Sequence, residues 1–483
     1  MTGADGIPGI RWARRLIILL SLGLAVALPA LWVSSQYLQN EIGGVLSYNV
    51  QDGWCEFGVY PGLGLHCFGD YTSQVLTAER DFGLVPPDAD SAATPGPAYQ
   101  SLYPPVGQFP HVVAATVRDA TGSNEFAFYL YIAVMALAAL TPALWVAWRW
   151  RRSPFLVAPL ILIGVAAVPV IAVLDRGNSA ALVIPLLLAA VLFLGKDPPW
   201  LAPGLIVGAA LVRPQFILVA IALFAIGRWR HALAAGGAFV AITLVSFAFT
   251  AGGWLASIRS WWDNITGFQG GAGNIALPTP ANISIPRSIV SVAARLGEAP
   301  GPIGSVGRWI ARGVYDRPII AVAVVALLAT VIFMLASGRV PHSVVIVVPL
   351  IIAGTASTVS PIYYLSFALV IGALVLGARA GGAEDPGLLD ARGPEHPTTP
   401  WFWGWPLVVL VTLSLAPLPF VVDTESGSTI LRNAYILENV GKGWLGLVVV
   451  GLSWVAYREF RVRRRAEEAD RGRMTEVVSP ASR

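Results

Sequence analysis

A small set of charged and polar residues interrupts a very apolar chain. Asp70 heads the run Asp70-Tyr71-Thr72-Ser73-Gln74, at the start of a short helical segment predicted over Tyr71 to Glu79. A carboxylate suits a helix N-terminus. In a cavity, the same group can accept the proton of a hydroxyl as general base. Asp52, Glu56 and Asp81 offer the same chemistry from the same loop. Arg213, beside Pro214, breaks the apolar stretch 201–226. A guanidinium in such surroundings demands an anion, and a phosphate matches its planar fork. Arg287 follows Asn282-Ile283-Ser284 just ahead of a helix and suggests a second anion site. Between two further apolar runs stands Asp175-Arg176-Gly177-Asn178, where Arg176 pairs with Asp175 or Asn178 caps the next helix. The prolines of Tyr103-Pro104-Pro105 fix an extended loop. Ser357 to Tyr364, with Ser360 at its centre, breaks a hydrophobic hairpin.

The two cysteines, Cys55 and Cys67, lie in one long loop. Outside the cytoplasm they are free to form a disulfide that staples it; two unpaired thiols are the other reading. Their spacing is not that of a zinc pair, and only His66 is adjacent. The expectation is therefore no metal and no cofactor.

The elements that must position these residues are membrane helices. Of 483 residues, 55% are hydrophobic and 12% charged, whereas a soluble domain carries about 25% charged residues. Mean hydropathy is +0.67. The net charge of +4 is small and unevenly spread, which gives no footprint for nucleic acid. A span needs about 20 apolar residues. Such stretches fall at 16–34, 126–148, 155–174, 179–195, 232–250, 318–337, 343–358, 362–378, 403–421 and 442–458. The first of them reads as a transmembrane helix with no cleavage site. The stretch 201–226 is too long for one span and reads as a re-entrant broken pair, with both flanks on one side. The expectation is thus an all-α polytopic membrane protein with about ten transmembrane helices, a re-entrant broken pair, and external loops that carry short helices.

Arginine and lysine set the orientation. Arg11, Arg14 and Arg15, then Arg149, Arg151 and Arg152, then Arg228 and Arg230, then Arg458 to Arg465 all fall on one side, the cytoplasm by this rule. Loops 35–125, 251–317 and 422–441 then lie outside. Trp261 and Trp262 read as interface anchors. Residues 379–400 are rich in Gly, Pro and acidic side chains and read as a cytoplasmic linker. They separate a core of 1–378 from a C-terminal transmembrane hairpin, 401–460, and a charged cytoplasmic tail, 461–483.

Taken in order, these islands resemble the motifs of glycosyltransferase family 87, polytopic enzymes of the GT-C fold. The resemblance covers roughly residues 10–380. Asp70-Tyr71 is similar to the acidic-aromatic start of the family's first external loop, and Tyr103-Pro104-Pro105 to its YPP element. Arg176-Gly177-Asn178 is similar to a turn between helices, Leu211-Val212-Arg213-Pro214 to an LKP element, and Asn282-Ile283-Ser284 to an N-Q-S element. Ser360-Pro361-Ile362-Tyr363-Tyr364-Leu365-Ser366-Phe367 is similar to an SPxSWxHY element, with Tyr364 for the family's Trp and Ser366 for its His. The resemblance implies transfer of a mannosyl or arabinofuranosyl unit from a polyprenyl-phosphate donor to a glycolipid or polysaccharide acceptor of the cell envelope. That reaction takes place on the external face of the plasma membrane. Asp70 is then the general base. Arg213 and Arg287 hold phosphate, and Asn178, Arg176, Tyr103, Asn282, Ser284, Ser360 and Tyr364 line the donor site. The competing readings are a flippase for polyprenyl-linked sugars and a polysaccharide ligase. A flippase has no need of so long an external loop directly after the first span.

Overall fold

The computed structural model describes residues 17–18, 21–22, 25, 69–84, 98–151, 154–270, 282–358, 360, 362–377, 401–415, 422–423, 430–431 and 434–477. Cys55, Cys67, Asp52, Glu56 and the linker 379–400 lie outside them, as does most of the first expected span.

Helix α1 (Gly69–Asp81) precedes the loop that carries Tyr103, and α2 (Phe109–Thr121) follows it. The long α3 (Asn124–Arg149) begins at Ser123, whose hydroxyl accepts from the Phe126 amide. That bond satisfies one of the amides a helix start leaves open. α4 (Pro154–Val165) and α5 (Val168–Asp175) follow. After the Arg176-Gly177-Asn178 turn come α6 (Val183–Leu192) and α7 (Leu201–Val212). α7 stops at Arg213 because Pro214 excludes the helical conformation from the residue before it. Arg213 is extended, with φ −140° and ψ 106°. The chain then returns through a 3₁₀ segment, Pro214–Ala220, to α8 (Ile221–Ala225). Next are α9 (Trp229–Ser246), α10 (Trp254–Gly270), α11 (Ile285–Gly297), α12 (Pro302–Asp316), α13 (Pro318–Leu335), α14 (His342–Gly354), α15 (Ser366–Leu376) and α16 (Trp401–Leu415). A two-residue antiparallel ladder pairs Val422 with Leu431, and α17 (Ala434–Val477) ends the described chain.

Of the about ten full spans expected, four or five are found among the described residues by length and composition. Among the described residues, four helices are long and apolar enough to cross a membrane: Asn124–Arg149, Trp229–Phe249, Pro318–Leu335 and Asn439–Ala469. A fifth arises if Phe155–Val165 and Val168–Leu174, bent by 51°, count as one. The other apolar stretches form helices of 10–17 residues. At 1.5 Å per residue, a 13-residue helix covers about 20 Å of a core about 30 Å thick. The polar islands and prolines cut these stretches short. One of them, α14, is an interior element: every residue from Ser343 to Gly354 is buried. By contrast, only 22% of the α13 window is buried inside the protein. The break expected at Arg213-Pro214 is present, and the charged tail continues α17 without interruption to Val477.

Several of the basic clusters meet at one end of the bundle. Arg228 donates to the carbonyls of Gly195 and Lys196 at 3.0 and 3.1 Å. The Gly338 amide donates to the Ala225 carbonyl, and the buried Glu459 pairs with Arg339 and Arg463 at 2.7 and 2.9 Å. The Asp70 region lies toward the other ends of these helices, where the short segments gather.

Candidate active site

Asp70 stands in the first turn of α1, half-buried. The Tyr71 amide donates to the Arg176 carbonyl at 3.3 Å, which ties the helix start to the turn between α5 and α6. From that turn, Asn178 Nδ2 donates to Asp70 Oδ2 at 2.7 Å, and Arg176 Nε lies 3.5 Å from the same oxygen. Asn178 Oδ1 accepts from the Ala180 amide at 2.8 Å, so it caps the following 3₁₀ turn as its position predicts. The same oxygen accepts from Arg213 Nη2. These partners fix the orientation of the amide. Both donors face its oxygen, and the carboxylate faces its nitrogen.

Arg213 reaches this point from the end of α7 and is 1% exposed. Its guanidinium lies over the Tyr103 ring, 3.8 Å from the centroid. Its Nε and Nη1 atoms are buried without a hydrogen-bond partner among the described residues. A guanidinium desolvated to this degree holds two donors ready for an acceptor. Tyr363 and Tyr364 lie within electrostatic range of it, and Tyr364 packs on Phe216 with ring centroids 6.4 Å apart.

The loop before α2 carries Tyr103 to this position. Asp81, the rival carboxylate, is its anchor. Asp81 accepts from the Gln100 and Ser101 amides at 2.8 and 3.2 Å and from Gln108 Nε2 at 2.8 Å. Burial pushes the Asp81 carboxyl above the usual range, opposed by these bonds. Gln108 Nε2 also donates to the Tyr99 hydroxyl, which donates in turn to the Tyr103 carbonyl at 2.7 Å. Gly107 closes the loop on α7, where a Cβ would lie 3.0 Å from the Leu211 carbonyl oxygen. Trp261, expected at a membrane interface, donates to the Leu102 carbonyl at 3.2 Å and packs on Phe247. Trp262 is exposed.

Asn282, Ser284 and Ser360 form a separate buried knot. Asn282 Oδ1 accepts from the Ser284 and Ser360 amides, and its Nδ2 donates to the Thr358 carbonyl. The Ser284 hydroxyl donates to the same carbonyl and accepts the Arg287 amide, capping α11. These polar atoms are engaged in holding Thr358 and Ser360, a few residues before Tyr363 and Tyr364. Arg287 sits half-buried in the first turn of α11.

Two supporting residues escape a reading of the sequence. Tyr131, inside the apolar α3, donates to the Gly177 carbonyl at 3.1 Å, and its oxygen lies 3.1 Å from His111 Nε2. Since the tyrosine proton goes to a carbonyl, His111 carries its proton on Nε2 and donates it. Burial, then the nearby Arg213 charge, lower the pKa of His111 to about 3, so the ring is neutral. Gly177 has φ 61°, and a Cβ there would stand 2.7 Å from that of Tyr71. The signals were a hydroxyl in a span and a histidine shortly after Tyr103-Pro104-Pro105. Ser366, which stands where the family motif has histidine, is buried, and its hydroxyl has no partner among the described residues. No group of three or more metal-ligating side chains occurs among the described residues.

The structure therefore joins Asp70, Arg176, Asn178, Arg213, Tyr103 and Tyr364 in one region and sets Asn282, Ser284 and Ser360 beside it. No curated protein and no solved structure matches the chain. A family model does: the one for glycosyltransferase family 87 matches residues 102–361, more than half of the 483. The match takes in Tyr103, Arg176, Asn178, Arg213 and the Asn282 knot, and begins after Asp70. A membrane-embedded helical protein with this match belongs to glycosyltransferase family 87 and is a glycosyltransferase.

Proposed function

We propose that this enzyme transfers a mannosyl or arabinofuranosyl unit from a polyprenyl-phosphate donor to a glycolipid or polysaccharide acceptor, on the outer face of the plasma membrane, with Asp70 as general base. The observation that carries this reading is the bridge through Asn178. It sets a half-exposed carboxylate next to a buried guanidinium with two unengaged nitrogens. A sugar phosphate ester needs that pair of groups. The acceptor oxygen attacks the anomeric carbon while the bond from that carbon to the phosphate oxygen breaks. The acceptor proton passes to Asp70, and the leaving phosphate gains negative charge. Arg213 meets that charge from a desolvated position, where a preset donor is worth most. A phosphate monoester leaves readily, so no general acid is required. Arg176 screens Asp70 and fixes its direction, and the Tyr103 ring holds the guanidinium in plane. The Asn282 knot sets the segment that bears Tyr363 and Tyr364. The core to residue 378 carries the reaction in this account, and 401–460 buttresses it.

The test is to incubate purified protein in lipid with labelled polyprenyl-phosphate mannose, polyprenyl-phosphate arabinofuranose and nucleotide sugars in parallel. Consumption of one polyprenyl-phosphate donor with an envelope lipoglycan acceptor supports the proposal. Transfer from a nucleotide sugar alone contradicts it.

A further inference from the structure

Helices α11 and α12 form a hairpin outside the candidate spans. They pack backbone to backbone: a Cβ on Gly307 would lie 2.5 Å from the Gly297 amide nitrogen, and Arg308 Nη1 donates to the Gly297 carbonyl at 2.6 Å. With the glycine face of α12 turned to α11, its apolar stripe is left uncovered. Ile303, Val306 and Trp309 recur at helical spacing and are 62%, 55% and 77% exposed. A row of three large apolar side chains this open marks a surface that meets lipid or a partner.

Both ends of the hairpin are fixed at the ends of spans. Arg317 alone separates α12 from Pro318, where α13 begins, and the exposed Ile319 and Ile320 continue the apolar surface. At the other end, Gly441 sits under Ile283, where an added Cβ would be 3.0 Å from the Ile283 Cα. Gly441 lies two residues into the span Asn439–Ala469. The hairpin is thus held at the level where two helices leave the membrane, and Arg312 and Arg317 are exposed there. An amphipathic helix with an apolar stripe and flanking arginines fits the boundary between acyl chains and headgroups.

We propose that the α11–α12 hairpin lies on the phospholipid bilayer surface on the Asp70 side of the bundle, with Ile303, Val306 and Trp309 sunk below the headgroups and Arg312 and Arg317 at the phosphate level. The stripe borders the Asn282 knot through α11, so this element sets where the membrane surface stands relative to the active-site segment. The inference rests on burial and connectivity and holds whatever the sugar donor is.

The full chain is tested in vesicles that contain phosphatidylglycerol, with Cys55 and Cys67 replaced by serine and a spin label at Trp309→Cys or, as control, at Arg295→Cys, exposed on the side of α11 turned away from α12. The label at 309 should collide with oxygen far more than with an aqueous nickel chelate, and the label at 295 should do the reverse. Equal nickel access at the two positions overturns the proposal. Shielding of 309 from both reagents also overturns it, because a protein partner or second copy then covers the stripe. A second measurement keeps the native cysteines: the tryptophan emission lost in Trp309→Phe should be quenched by lipids brominated near the top of the acyl chain. Unquenched emission contradicts the placement.

Discussion

Asn178 donates to Asp70 at 2.7 Å and, through its other amide atom, accepts from Arg213. One neutral side chain thus spaces a carboxylate from a guanidinium that would otherwise collapse into an ion pair and occupy each other's ligand sites. Asn178→Ala removes the spacer. It should cost about 1 kcal/mol as a lost cap and lower turnover about 100-fold, within the range for a mispositioned base. Asn178→Asp should be worse, since it sets a second carboxylate against Asp70. Thermal unfolding and initial rates on the same preparations separate the two effects. Turnover that tracks stability alone would deny Asn178 a positioning role.

Arg213 makes the opposite prediction for stability and function. Two of its nitrogens are buried and unengaged, and a buried charge in that state is a net cost to the fold. Arg213→Gln should leave the melting temperature unchanged or raise it. The donor Kd should rise about 10- to 100-fold, the value of one or two charged hydrogen bonds. Arg213→Lys should not restore affinity, because an ammonium offers no planar fork to stack on Tyr103. Unchanged donor affinity in both variants would mark Arg213 as structural.

The turn that carries Arg176 and Asn178 depends on Gly177 and on what lies beneath it. Gly177→Ala meets both a left-handed backbone, at φ 61°, and the Tyr71 side chain. The backbone alone costs about 1–2 kcal/mol, and the clash displaces α1, so activity should fall further than stability. Tyr131→Phe removes the bond to the Gly177 carbonyl and should lower kcat with little change in the donor KM.

His111 beneath Tyr131 adds a pH dependence. Its folded pKa, about 3, is below the value near 6.5 of the free side chain. The unfolded chain therefore takes up this proton first, and stability is lost as pH falls from about 6.5 toward 3. One proton over about 1.5 pH units amounts to about 2 kcal/mol. Unfolding of the parent protein and of His111→Gln at pH 7 and pH 5 should differ in slope, with the parent losing more. Equal slopes would place the histidine in contact with water.

What the sequence made legible is what local chemistry decides. The Arg213-Pro214 break is visible because proline forbids the residue before it a helical backbone. Asn178 is a cap because its position and residue type suffice. Which apolar stretches lie inside the protein is not legible. Hydropathy measures how apolar a stretch is, and α14 is as apolar as a span but sits wholly inside the protein. The contact of Arg176 with Asp70 is not legible for a related reason: Asp70 is 106 positions away and is brought in only when α1 docks on the turn. Nor could spacing rank Asp70 over Asp81. The difference is that Asp81 is filled by three hydrogen bonds from its own loop, whereas Asp70 faces the arginines.

That contrast gives the most direct test of the central claim. Asp70→Asn and Asp81→Asn are compared for sugar transfer from the polyprenyl-phosphate donor, with donor binding and monodispersity measured on each. Asp70→Asn should retain donor binding and lose transfer by about 10²–10⁴-fold, the usual worth of a general base, while Asp81→Asn should lose stability and keep most of its specific activity. Transfer by Asp70→Asn at near the parental rate would contradict the assignment of the base and, with it, the mechanism.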